Sequence, residues 1–96
     1  MKIVVSKKAM DKNFQTKVDA TIYMAKQCAE QGQTSFYMNI PSGSGYSKYD
    51  LISRVEELTE NTVYTEIRPA VSGNSIKFSI AQEGRINGSN DTLKYP

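Results

Sequence analysis

Lysines near the amino terminus are the first residues whose chemistry points to a ligand. The first 17 residues hold five lysines and a single acidic residue, Asp11. Lys7 and Lys8 adjoin each other where a β-branched segment, Ile3-Val4-Val5-Ser6, leads into a helix. Free backbone N–H groups at a helix start add to the field of two ammonium groups and suit a phosphate. The pair therefore predicts a phosphate contact, although exposed lysines also simply hydrate a surface.

A loop rich in glycine and serine, Ser42-Gly43-Ser44-Gly45-Tyr46, precedes the second predicted helix. Glycines let backbone donors approach an anion closely, so this loop could cradle a phosphate. It is not a P-loop, because Lys48 follows Ser47 and the Gly-Lys-Ser/Thr ending is missing. Its glycine spacing does not match the dinucleotide fingerprint either. The alternative is an ordinary strand-to-helix connection that ends in a helix cap.

The residue types that are missing exclude several classes of site. The sequence has no histidine and one cysteine, Cys28, which removes zinc fingers, Ser-His-Asp triads and dithiol redox chemistry. Glu56, Glu57 and Glu60 share a helical segment and are more typical of a solvated face than of catalytic carboxylates. We therefore expect a protein that is not an enzyme, with no catalytic residue, no metal site and no cofactor.

Length and charge limit the chain to one small domain. A chain of 96 residues has room for a single layered core and little for a deep enclosed cleft. The formal net charge of +2 permits nucleic-acid binding without requiring it. No apolar run approaches the roughly 18 residues that a bilayer-spanning helix needs, so we expect an intracellular protein with no membrane partner.

The hydrophobic pattern predicts six elements in a single domain over residues 1–81, followed by a flexible polar tail over residues 82–96. Gly32 is expected to end the first helix and Ser47 to cap the second. Met10, Met24 and Met38 are expected in the core, with Cys28 as a small buried hydrophobe. The predicted elements are a strand over 2–6, a helix over 11–31, a strand over 34–40, a helix from 47 to near Asn61, and a hairpin over 63–68 and 75–80 that turns at 69–74.

This order, β-α-β-α-β-β, predicts an α/β two-layer sandwich. Right-handed crossovers would make the first three strands parallel and the fourth antiparallel, giving a mixed four-stranded sheet with both helices on one face. Tyrosines on the uncovered face, with basic residues beside them, could stack on single-stranded bases, or they could simply be good strand residues. The residues predicted on that face are Val4, Tyr37, Asn39, Tyr64, Glu66, Arg68 and Lys77.

Four local motifs accompany this element order. A strand runs into paired lysines at Lys7-Lys8, the first helix closes on Gly32, Gly45-Tyr46-Ser47-Lys48 opens the second helix, and a hairpin spans residues 68–77. Together these features resemble the Alba family of small dimeric chromatin and RNA-binding proteins, over about residues 2–81. The resemblance implies a homodimer that binds DNA or RNA mainly through backbone phosphates.

The leading hypothesis is therefore a non-enzymatic nucleic-acid-binding protein. Two alternatives remain open. One is a small protein-interaction regulator or inhibitor that uses the open sheet face. The other is a binder of a small phosphate-containing ligand at the loop 42–48. The predicted nucleic-acid contacts are Lys7, Lys8, Lys12, Lys48, Arg68 and Lys77, with loop contacts from Ser42, Gly43, Ser44, Gly45 and Tyr46.

Overall fold

The structure is a computed structural model that describes residues 1–66 and 71–83. It is a small α/β protein with two helices and an antiparallel sheet that is three strands wide. In chain order the elements are α1 (Lys7–Glu30), β1 (Ser35–Asn39), α2 (Lys48–Leu58), β2 (Val63–Tyr64), β3 (Val71–Ser72) and β4 (Ser75–Ile80).

Helix α1 begins four residues before the predicted start at residue 11. Ser6 is its N-cap, because Ser6 Oγ accepts a hydrogen bond from the Ala9 N–H at 3.1 Å. At the other end Gly32 adopts a φ of 78°, and the Gln33 N–H donates to the Cys28 carbonyl at 2.8 Å. This is a Schellman motif, and it confirms the predicted helix stop at Gly32.

Helix α2 starts where the sequence predicts, because Ser47 Oγ accepts from the Asp50 N–H at 3.0 Å. It ends within three residues of the predicted stop near Asn61. Glu60 and Asn61 have φ values of 54° and 63°, in the left-handed region that side chains disfavour. The Asn61 N–H donates to the Glu56 carbonyl at 2.8 Å. Helix α2 therefore also ends in a Schellman motif, with glutamate where glycine is usual.

Strand β4 is the centre of the sheet. Strand β1 lies antiparallel along one edge of β4, with pairs from Ser35 opposite Ser79 to Asn39 opposite Ser75. Strands β2 and β3 also pair antiparallel with β4, and they share Ser79 and Ser75 as partners with β1. Both must therefore lie on the opposite edge of β4. The sheet order is β1, β4, then β2 and β3 end to end.

Strands β2 and β3 form one interrupted arm of the predicted hairpin. Val63 lies opposite Ile80, so an unbroken ladder would bring the residue four positions later opposite Ile76. Val71 occupies that place instead, which means that four extra residues are accommodated between β2 and β3. The predicted turn over 69–74 is wrong in length, because the ladder resumes before Gly73, which has a φ of 58° and starts a two-residue turn.

The predicted amino-terminal strand is not formed, so the mixed four-stranded sheet of order β-α-β-α-β-β is wrong in its first element. Ile3, Val4 and Val5 are 87%, 78% and 65% exposed, and Val4 does not lie on the sheet. The reason is local. Ser6 caps α1 directly, which leaves no residues for the connection of two to six residues that usually joins a strand to the next helix. All described strand pairs are antiparallel, not parallel.

Both helices pack on the same face of the sheet and enclose one core. The Phe36 and Phe78 rings stack there with centroids 5.5 Å apart. Cys28 is buried as predicted, whereas the prediction of a core position for Met24 is wrong, because Met24 lies on the flank of the buried stripe of α1 and is exposed. The core residues are Val18, Ala25, Cys28, Phe36, Ile40, Leu51, Ile52, Val55, Val63, Ile76 and Phe78.

The last strand ends at Ile80, close to the predicted domain boundary at residue 81. The Ala81 N–H still donates to the Thr62 carbonyl at 2.8 Å. Gln82 and Glu83 are exposed and belong to no strand or helix. The rest of the predicted tail, residues 84–96, lies outside the described residues.

Candidate functional site

Both helix N-termini and the glycine loop meet at one end of the molecule. This loop end comprises the first turn of α1, the loop 41–46, the first turn of α2 and the turn Gly73-Asn74. Lys7 and Gly45 line the same cleft. Lys48 Nζ donates to the Gly73 carbonyl at 2.7 Å, and the Ile40 N–H donates to the Asn74 carbonyl at 2.8 Å. The fold thus brings together predicted site residues from separate parts of the sequence.

The start of α1 concentrates positive charge. Lys7 and Lys8 are its first two residues, and its first turn contains no acidic residue. The helix dipole adds partial positive charge at the same place, where acidic side chains are normally favoured. Ser6 Oγ satisfies the Ala9 N–H, whereas the N–H groups of Lys7 and Lys8 have no acceptor within the part of the chain that the structure describes. An anion at this point would relieve the repulsion and accept these hydrogen bonds.

Three of the predicted basic residues belong to this first part of α1. Lys8 and Lys12 are exposed and four residues apart, so they lie on the same side of the helix. Lys7 borders the cleft between the two helices. Among residues 1–66 and 71–83 the structure contains one ion pair, between Arg54 and Glu57 at 2.8 Å. None of the three lysines is therefore neutralised by a carboxylate there.

The other predicted basic residues are placed differently. Lys48 is half-buried at the start of α2, and its bond to the Gly73 carbonyl uses part of its donor capacity. Its ammonium also lies 5.9 Å from the centroid of the Tyr49 ring. Lys77 is on β4, half-buried on the uncovered side of the sheet and three residues from Asn74 of the loop end. Arg68 lies outside the described residues.

The loop 42–46 is anchored to α1 by its last two residues. Gly45 has a φ of 88°, and a Cβ added to it would lie 2.8 Å from Met10 Sδ. The Tyr46 ring packs edge-on against Phe14, with centroids 5.1 Å apart and planes at 64°. Burial raises the pKa of the Tyr46 hydroxyl above its ordinary value of 10.0. The ring of Tyr46, predicted as a loop contact, thus packs against the edge of the core.

The outer part of the loop remains accessible. Gly43 has a φ of 72° and open space around the position of a Cβ. Ser44 Oγ donates to the Tyr46 carbonyl at 3.2 Å. A depression of about 570 Å³ extends from Ser42 and Gly43 to Lys48. This depression is the place where the loop could receive an anion, next to the start of α2.

A larger cleft of about 710 Å³ separates the first half of α1 from α2, and no sequence motif marks it. Its volume is within the range of small-molecule sites. Met10, Phe14 and Tyr46 contribute apolar surface. The only signal in the sequence is that two large apolar residues, Met10 and Phe14, precede the buried part of the helical stripe. The charged residues around the cleft have both signs and are Lys7, Asp11, Asp50, Arg54 and Glu57.

The uncovered side of the sheet, here called the open face, is polar. Tyr37 projects from it and is 65% exposed. Tyr64 is half-buried, and Glu66, also predicted on this face, is exposed just after β2. By strand alternation the open face comprises Ser35, Tyr37, Asn39, Tyr64, Ser75, Lys77 and Ser79.

Comparison with protein-family models, with curated proteins and with solved structures finds no match for this chain. The resemblance to the Alba family therefore stays a prediction. Neither helix that the structure describes has the length and apolarity needed to cross a bilayer. Over the same described residues, no three acidic or thiol side chains gather into a group that could hold a metal ion.

Proposed function

We propose that the chain is an intracellular, non-enzymatic nucleic-acid-binding protein that contacts backbone phosphates with the loop end. The observation that carries the proposal is the convergence of two helix N-termini, the glycine loop and the lysines of α1. Helix N-termini offer free N–H donors and a favourable dipole to phosphates. Unpaired lysines nearby add the charge that dominates affinity for nucleic acids.

The lysines at the start of α1 are the principal contacts in this proposal. Lys7, Lys8 and Lys12 have no carboxylate partner among the described residues, so binding a phosphate breaks no ion pair there. Lys48 contributes less, because its ammonium is already bonded to the Gly73 carbonyl. With a net charge of +2, attraction over long distances is weak. Affinity then depends on this local cluster and falls steeply with salt.

Assembly as a homodimer, which the resemblance to the Alba family implies, is part of the proposal. Two copies related by a two-fold axis would present two loop ends, and bivalent contact strengthens binding when the geometry permits it. Static light scattering at tens of micromolar protein should give about twice the chain mass. A mass of one chain at that concentration would refute the dimer and leave the phosphate contacts to be tested separately.

A small phosphate-containing ligand is the second candidate, and the depression of about 570 Å³ beside the loop favours it. It differs from nucleic acid in its salt dependence, because one phosphate group releases few counterions. Inorganic phosphate and a free nucleotide are suitable probes in isothermal titration calorimetry. Tight binding of either, with no binding of an oligonucleotide, would support the small ligand and refute the proposed function.

The direct test is fluorescence anisotropy with a labelled DNA duplex and a labelled single strand in about 50 mM salt. If Lys7, Lys8 and Lys12 each neutralise one phosphate, log affinity for the duplex should fall with log salt at a slope of about −2.7 per chain. The double variant Lys7→Ala/Lys8→Ala should flatten this slope by about 2 and weaken binding to all sequences alike, because phosphate contacts carry no sequence information.

Lys26→Ala is the matched control for Lys8→Ala. Lys26 is also an exposed lysine of α1, but it lies about 27 Å further along the helix axis than Lys8. Each variant removes one positive charge. Equal losses of affinity would show that net charge, not the loop end, governs binding. Absence of wild-type binding to both nucleic acids at tens of micromolar protein would overturn the proposed function.

A further inference from the structure

We propose that the open face is a binding platform for single-stranded nucleic acid, on which Tyr37 stacks against an unpaired base and Lys77 contacts an adjoining phosphate. This inference rests on the proposed function and specifies the class of nucleic acid. A flat sheet can offer an aromatic ring to the face of an unpaired base, whereas the bases of a duplex are stacked on each other and inaccessible.

Tyr37 and Lys77 are direct neighbours across two strands. They are opposite each other in the register of β1 and β4. Hydrogen bonds from the Ile40 N–H to the Asn74 carbonyl and from the Ile80 N–H to the Thr34 carbonyl show that the even-numbered residues of β1 exchange bonds with β4. Tyr37 and Lys77 therefore form a non-hydrogen-bonded pair, the type in which side chains approach most closely.

Short side chains flank this pair along β1 and β4, and Tyr64 lies opposite Ser79 on the other edge of β4. Ser35 and Ser79 flank it on one side, and Asn39 and Ser75 flank it on the other. They leave the Tyr37 ring standing above its neighbours, which agrees with its 65% exposure. A protein partner would find little apolar surface to bury on a face of this composition. Lys77 and the exposed Glu66 bring one charge of each sign to this face, so the exposed ring of Tyr37, rather than net charge, is what favours a planar base.

The open face also continues toward the loop end. Strand β1 ends at Asn39 and leads within two residues into the loop 41–46. Tyr64 provides a second ring beyond β4, about 12 Å from Tyr37 by the spacing of two strands and an offset of two residues.

The test compares two tyrosines of equal exposure. Tyr37 on the sheet and Tyr23 on α1 are both 65% exposed. Anisotropy with labelled oligothymidylate of about 15 nucleotides should show an affinity about five- to 150-fold weaker for Tyr37→Leu than for wild type, by the usual strength of base stacking. Tyr23→Leu and Tyr37→Phe should bind as the wild type does. Binding of a duplex should be unchanged in all three variants.

Circular dichroism shows whether each variant is folded. If Tyr37→Leu does not fold, tyrosine emission gives a second readout, because the chain has no tryptophan. Stacking quenches the ring involved, so oligothymidylate should quench wild-type emission more than that of Tyr37→Phe. Equal quenching would overturn the inference.

The outcomes separate this inference from the proposed function. Loss of single-strand affinity in Tyr37→Leu alone supports the platform. The platform is overturned if Tyr37→Leu and Tyr23→Leu bind the single strand with equal affinity, or if Tyr37→Leu loses as much affinity for the duplex as for the single strand. Neither result bears on the phosphate contacts, which Lys7→Ala/Lys8→Ala tests on the duplex. Failure of the wild type to bind either probe overturns both.

Discussion

Replacing Gly45 with alanine tests how closely the loop packs on α1. Gly45 has a φ of 88°, so any L side chain there is strained. The left-handed conformation costs about 1–2 kcal/mol, and the smaller entropy of the unfolded alanine chain returns about 0.4–1 kcal/mol. The backbone alone should therefore lower the free energy of unfolding by about 1 kcal/mol.

The new Cβ adds a steric cost at Gly45. It would lie 2.8 Å from Met10 Sδ and 3.2 Å from Met10 Cγ, so the methionine must rotate away. Methionine is flexible, and an off-rotamer side chain costs of order 0.5–1.5 kcal/mol. We expect a total loss of about 2 kcal/mol for Gly45→Ala. Gly43→Ala is the matched control, because its φ of 72° imposes the same strain and no atom lies within 4 Å of the added Cβ.

Urea unfolding followed by circular dichroism measures both variants. The free energy of unfolding should fall by about 1 kcal/mol in Gly43→Ala and by about 1 kcal/mol more in Gly45→Ala. In a Met10→Ala background the excess loss of Gly45→Ala over Gly43→Ala should disappear, because the colliding side chain is gone. An excess that persists in that background, or equal losses for the two variants in the wild-type background, would refute the packing of the loop on α1.

Two further predictions concern helix ends and the partly buried hydroxyl of Tyr46. Glu60→Gly should raise the free energy of unfolding by about 1 kcal/mol, because Glu60 ends α2 at a φ of 54°. Gly32→Ala should lower it by about as much at the end of α1, and a urea titration that gives both changes the same sign contradicts this reasoning. The raised pKa of Tyr46 means that the folded state favours the neutral phenol, so its contribution is complete below pH 10.0 and is lost as the pH rises through the folded pKa. Wild-type stability should therefore fall more between neutral and alkaline pH than that of Tyr46→Phe, and identical profiles would show that the burial has no consequence.

Local signals in the sequence predict much of the fold. The helical stripe of α1, its stop at Gly32 and the start of α2 at Ser47 all depend on residues close together in the chain. The alternation of β1 and β4 likewise predicts which side of each strand is buried, and Phe36 and Phe78 do stack in the core. These features depend only on helix caps and on a periodic pattern of apolar residues. The tertiary packing agrees with these local preferences and reinforces them.

The amino-terminal strand shows where local reasoning fails. Ile3, Val4 and Val5 have high strand propensity, but propensity acts only where a neighbouring strand and a connection are available. Ser6, however, is a favoured helix N-cap residue, and in the structure it caps α1 instead of ending a strand. A sequence of β-branched residues followed by serine is compatible with both outcomes. The choice depends on how many residues remain for the connection.

Side-chain partners far apart in sequence could not be predicted either. The bond from Lys48 to the Gly73 carbonyl joins residues 25 positions apart. The packing of Tyr46 on Phe14 requires knowing that the loop folds back onto α1. From the sequence alone, a lysine and a tyrosine at the start of a helix look free to contact a ligand. Both are partly occupied by contacts that only the tertiary fold creates.

The convergence of the two helix N-termini, in contrast, follows from the connections. Helix α1 runs away from the loop end, and the motif at Gly32 returns the chain through β1. Strand β1 runs opposite to α1 and covers about 17 Å of the roughly 36 Å length of that helix, so Pro41 lies beside the middle of α1. The connection of eight residues before α2 covers the remaining distance, because Gly45 packs against Met10 and Tyr46 against Phe14 near the start of α1. A helix, a strand and a helix joined by short connections therefore place two positive dipole ends side by side, and Lys7 and Lys8 intensify that field at a cost to the stability of α1.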